Sequence, residues 1–129
     1  MNETVRLVLL AHAPMATAWR QLAAHTFADC AAQLETLDID PGDSLEQAQE
    51  RLRGLLGDGK RPTLVLVDVA GATPANALQA LLPKYPQLRA VAGLNGPMLW
   101  RTLCYRQESL DALTERAEAG GLRGIIKLT

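Results

Sequence analysis

The chain has 129 residues, 48% of them hydrophobic, and its 13 Lys/Arg against 14 Asp/Glu leave a formal net charge of −1. That balance gives no electrostatic basis for binding nucleic acid or an anionic membrane, and 4% aromatic residues leave little for base stacking. No apolar run approaches the roughly 20 residues needed to cross a bilayer, so direct membrane insertion is not expected. Length and apolar content fit a single domain over residues 1–129 with a core of its own.

The opening segment has a short apolar stretch, but Glu3 lies ahead of it and His12 and Pro14 interrupt it. It reads as a mature first strand, not a signal peptide. Val5 to Leu10 is aliphatic and too short for a helix, which suits a strand buried on both faces. An alanine-rich helix is expected over Met15 to Ala32, then an alternating second strand over Leu34 to Ile39. Asp43 or Ser44 would cap the next helix, because a short side-chain oxygen can accept from exposed backbone N–H groups. That helix carries Leu45, Ala48, Leu52, Leu55 and Leu56 on one stripe and ends at Gly57-Asp58-Gly59.

Thr63 to Asp68 reads as a buried third strand, Gly71-Ala72-Thr73-Pro74 as a tight turn, and Ala75 to Leu82 as a helix with Thr73 as its cap. A fourth strand is expected over Leu88 to Leu94. Pro97 starts another helix, and Ser109 caps a last one that Gly120-Gly121 breaks after Ala119. Arg123 to Leu128 would then be a fifth strand, half polar and therefore at an edge or paired with another chain. The β-α-β-α-β-α-β-α-β order specifies an α/β fold, a mostly parallel sheet between two helical layers.

Ligands of such sheets bind beyond the carboxyl ends of the strands. Three strands end there in polar residues, His12, Asp68 and Asn95, each followed by small residues and a proline-started helix. A neutral imidazole is a competent nucleophile near pH 7, and a carboxylate on one ring nitrogen would fix the tautomer and free the other to attack. Helix-start amides and the Thr73 hydroxyl suit an incoming phosphoryl group, a chemistry that needs positioning and charge stabilisation without a metal or organic cofactor. No His, Cys or carboxylate cluster has metal-ligand spacing. Taken singly, His12 could be a structural histidine, Asp68 a turn aspartate, Thr73 a plain cap and Asn95 a left-handed turn residue. His25, within the first helix, reads as surface or packing. Cys30 and Cys104 form no disulfide framework and read as buried free thiols, which fits a cytoplasmic protein.

Gly54 to Lys60 matches the spacing GxxxxGK of a nucleotide-binding loop, but Arg61 stands at the magnesium-binding Ser/Thr position. The segment also runs from helix to strand, the reverse of the P-loop. There is no GxGxxG and no GxSxG.

Three ordered blocks give the chain a family resemblance: Leu10-Ala11-His12-Ala13-Pro14-Met15-Ala16, Asp68-Val69-Ala70-Gly71-Ala72-Thr73-Pro74-Ala75-Asn76 and Gly93-Leu94-Asn95-Gly96-Pro97-Met98-Leu99. Together with Pro41 to Ser44 and Ser109-Leu110-Asp111, they resemble the IIA domain of the mannose/fructose-type phosphotransferase system (PTS) of bacteria. The resemblance implies that His12 accepts a phosphoryl group from the phosphocarrier HPr and passes it to a IIB component in sugar uptake. It implies that Asp68 tunes His12, and that Thr73, in place of the family serine, binds phosphate with Gly71 and Ala72. It also implies a homodimer that exchanges a terminal strand. Ala13 and Ala72 replace family glycines, which would matter if those positions need positive φ or close approach to phosphate. A phosphocarrier subunit of dihydroxyacetone kinase and a regulatory phospho-acceptor without a permease are the alternatives.

Overall fold

A computed structural model describes residues 4–129, the side chain of Cys30 excepted. Four strands, β1 (Arg6–His12), β2 (Glu35–Ile39), β3 (Thr63–Val67) and β4 (Leu88–Ala92), form one parallel sheet in the order β2-β1-β3-β4. Val8 pairs with Glu35 on one side of β1 and with Val65 on the other. All five β3 residues are buried, so its aliphatic run reflects helices on both faces.

Alternation along the strands divides the core in two. Leu7, Leu9, Leu64 and Leu66 pack under α1 (Met15–Thr26), α5 (Gly96–Cys104) and α6 (Leu110–Arg123). Val8, Leu10, Val65 and Val67 pack under α3 (Leu45–Leu56) and α4 (Thr73–Leu81). A bidentate pair from Arg6 to Glu35, at 2.7 and 2.6 Å, ties β1 to β2, and Arg6 also donates to the Leu55 carbonyl at 2.9 Å. The Arg6 hydrogen bonds hold the Glu35 carboxyl below its ordinary range.

Several boundaries differ from expectation. The first helical segment is two helices, because Phe27 leaves helical φ/ψ before the short α2 (Ala28–Ala31). Ser44, not Asp43, caps α3, in a reciprocal capping box with Gln47. Ala72 is the N-cap of α4, so Thr73 occupies the first helical position and makes no capping bond. Cys104 is exposed. His25 is exposed, as expected.

The largest departure is at the end of the chain. Gly120-Gly121 does not break α6, which runs through Arg123 with Gly124 as its C-cap. The glycines are there for packing: a Cβ on Gly120 would lie 2.6 Å from Arg101 Cβ, and one on Gly124 would lie 2.1 Å from Pro97 Cβ. Helices α5 and α6 therefore meet closely along a glycine face. Arg123 belongs to helix, and residues 125–129 carry no strand pairing in the single chain.

Candidate functional site

The crossover from β1 to β2 uses α1 on one face, whereas β3 connects to β4 through α4 on the other. The carboxyl ends of β1 and β3 therefore flank the point where the chain leaves in opposite directions, the usual ligand crevice of open α/β sheets. His12 is the last residue of β1, and Asp68 follows the last residue of β3. The two strands place them together.

Asp68 Oδ2 lies 2.7 Å from His12 Nδ1 and also accepts from the His12 backbone N–H at 3.0 Å. Oδ1 accepts from the Val69 N–H at 2.9 Å. Partial burial pushes the Asp68 carboxyl up, but these donors outweigh it and hold the group below the ordinary aspartate value. An ionised carboxylate only accepts, so it selects the tautomer with the proton on Nδ1 and leaves the Nε2 lone pair available. Among the described residues no hydrogen bond reaches Nε2, and the His12 side chain is 46% exposed against 18% for Asp68.

Four helices start at this rim, and their N-termini differ; the start of α3 is closed by the Ser44–Gln47 capping box. At α1 the first amides are already taken: Asp38 at the end of β2 accepts from Ala16 N–H at 2.8 Å and from Thr17 N–H at 3.3 Å. The Thr17 hydroxyl donates to the same carboxylate. At α5, Asn95 Oδ1 accepts from Met98 N–H at 2.9 Å, and its amide nitrogen donates to the Gly121 carbonyl at 3.2 Å. At α4, beside Asp68, the N–H groups of Thr73 and Ala75 meet no acceptor among the described residues. The uncompensated positive end of a helix thus lies on the strand that carries Asp68.

Of the residues singled out from the sequence, His12, Asp68, Gly71, Ala72 and Thr73 share the β1/β3 end of the sheet. Asn95 caps α5, is tied to α6 and lines a cavity beside β4, in an extended conformation with φ −139°. The left-handed position belongs to Gly93, at φ +93°. Gly71 has φ +83°, whereas Ala72 is extended and no non-glycine residue among those described has positive φ, so neither Ala13 nor Ala72 strains the backbone. Asp38 was missed as a site-bordering residue. The available signal was a second carboxylate at a strand's carboxyl end, opposite Ala11 in the sheet.

Among the described residues no group of three or more metal-binding side chains occurs, and no helix is long and apolar enough to cross a membrane.

The model of the PTS system fructose IIA component family matches residues 6–118. The PTS system mannose-specific EIIAB component of Escherichia coli K12 is 32% identical over 93 residues, which cover 69% of this chain and 29% of that protein. The chain thus spans under a third of that relative's length. The mannose/sorbose specific IIA subunit of the phosphotransferase system from Enterococcus faecalis superposes with a TM-score of 0.91 at 29% identity, covering 98% of this chain and 96% of that one. The EIIA phosphotransferase component of Streptococcus agalactiae, at 24% identity, shares the fold with a TM-score of 0.83 over 95% and 96% of the two chains. The chain belongs to the mannose/fructose-type IIA family of the bacterial phosphotransferase system.

Proposed function

We propose that this protein is a phosphohistidine carrier, whose IIA domain receives a phosphoryl group on Nε2 of His12 and passes it on. The observation that carries the reading is the 2.7 Å contact from Nδ1 to Asp68, which leaves the second ring nitrogen unpaired and exposed. In the accepting step the Nε2 lone pair forms a bond to phosphorus as the N–P bond of the donor phosphohistidine breaks. The bonding pair returns to the donor imidazole. The Nδ1 proton stays on His12, where Asp68 offsets the positive charge that develops on the ring. The Thr73 hydroxyl and the Thr73 and Ala75 amides, with the Gly71 turn and Ala72 beside them, hold the phosphoryl oxygens. The step requires no metal or organic cofactor.

HPr is the donor and a IIB component the acceptor. Family membership supports this pair, and the name of the E. coli relative joins a IIA to a IIB part. The reading places the protein in the cytoplasm. A homodimer that exchanges terminal segments completes it. Leu122, Ile125, Ile126 and Leu128 are 70 to 90% exposed, and β4 has an open edge beside a cavity of about 520 Å³ lined by Ala90 to Gly93, Met98 and Ile125.

The test is a reconstituted relay of phosphoenolpyruvate, Enzyme I and HPr. Wild-type protein is expected to gain one acid-labile phosphoryl group and lose it when a cognate IIB is added, and His12→Ala should gain none. Labelling that survives in His12→Ala refutes the acceptor assignment. Transfer only to a dihydroxyacetone-kinase subunit, or to nothing, would move the protein to another relay or to regulation.

A further inference from the structure

The His12 turn is held from two sides. Asp68 grips it from β3, through the His12 backbone and ring. From β2, the Ile39 carbonyl accepts from Ala13 N–H at 2.9 Å, and Asp38 takes the Ala16 and Thr17 amides and the Thr17 hydroxyl. These amides open α1 only a few residues after His12 and would otherwise be a donor set for any anion on that histidine. With Asp38 in place they face a carboxylate, while the first amides of α4 remain open.

We infer that Asp38 is a positioning residue of the phosphoryl site: it anchors the first turn of α1, just beyond the His12–Pro14 turn, and, by occupying the start of that helix, directs the phosphoryl oxygens to α4. The inference rests on the carrier reading above. Asp38 touches no reacting atom and acts through the turn and through the charge it places at α1.

The experiment uses ¹⁵N-labelled protein and potassium phosphoramidate as phosphoryl donor. Nε2 attacks phosphorus, the P–N bond breaks, and the released nitrogen takes a proton from solvent and leaves as ammonia. In the wild type, phosphorylation of His12 should shift the Thr73 and Ala75 amides strongly and leave Ala16 and Thr17 nearly unmoved. Asp38→Ala should slow phosphorylation by about tenfold or more, because the turn is no longer fixed, and make the Ala16 and Thr17 amides respond. Asp38→Asn, whose carbonyl can still accept, should restore much of the wild-type behaviour. Ser109→Ala removes a helix cap from α6, whose start lies beside Arg89 at the opposite, amino edge of the sheet, and it should lower stability without changing phosphorylation rate or amide response.

Equal responses at α1 and α4 in the wild type would overturn the inference. An Asp38→Ala variant that folds and matches the wild-type rate and pattern would do the same. If Asp38→Ala fails to fold, the wild-type amide pattern and Asp38→Asn still decide. A wild-type protein that is never phosphorylated on His12 contradicts the carrier reading itself, a separate outcome.

Discussion

At Asp68 two carboxylate oxygens accept from three donors, and two of those belong to His12. Asparagine at this position keeps the shape but presents an oxygen or an N–H₂ group to the ring, so the proton no longer has a fixed place on Nδ1. Asp68→Asn should accept phosphoryl at least about 10²-fold more slowly with the fold intact, measured by rapid-quench transfer from phospho-HPr. Because the native Asp68 carboxyl titrates below its unfolded value, its contribution to stability is present above the unfolded value near 4. It is lost as pH falls through the lower native value. The gap in urea midpoint between wild type and Asp68→Asn should therefore close on acidification below about pH 4, and a gap that closes only above pH 5 would contradict the assignment. Asp68 and Asp38 flank one turn with different duties: the first is aimed at the ring, the second at the backbone beyond it.

Among the elements, α5 and α6 depend on glycine more than their sequences suggest. A Cβ at Gly120 meets the Arg101 stem and one at Gly124 the Pro97 ring, whereas one at Gly121 comes within 2.9 Å only of the mobile end of Met98. Gly124→Ala and Gly120→Ala should each lose about 1–3 kcal/mol in denaturant unfolding by forcing the helices apart. Gly121→Ala should lose less, since the Met98 side chain can swing away. Reversal of that order would mean that the seam is not close-packed. Asn95 reaches the same seam through the Gly121 carbonyl, so a residue that lines the cavity beside β4 also fastens α6 to the rim. Pairs of glycine near a helix end suggest a stop in one dimension, and a neighbouring helix can reverse that meaning.

For the whole molecule, the sheet order sets the chemistry. With β1 beside β3 and crossovers leaving to opposite faces, a histidine and an aspartate 56 residues apart come within hydrogen-bond distance. The terminal segment raises a separate question. An exposed apolar stretch of Leu122, Ile125, Ile126 and Leu128 beside an open sheet edge is expected to pair with a second copy. Ile126→Glu should shift the sedimentation equilibrium from dimer toward monomer, by about tenfold or more in dissociation constant if one buried apolar side chain is replaced by a charge. Wild-type protein that sediments as a monomer at micromolar concentration would refute the exchange.

The aliphatic runs, the proline-started helices and the polar residues at strand ends determined the layered α/β fold and named His12, Asp68 and Thr73, because burial on two faces and helix initiation leave local marks in a chain. What needed tertiary structure was everything that depends on a neighbour distant in sequence. Asp38 takes over the start of α1, Asn95 is committed to α6, and Gly120-Gly121 packs instead of breaking. Local propensity records which backbone groups need partners; only the packed chain decides which side chain supplies them, and so which helix start stays open for an anion.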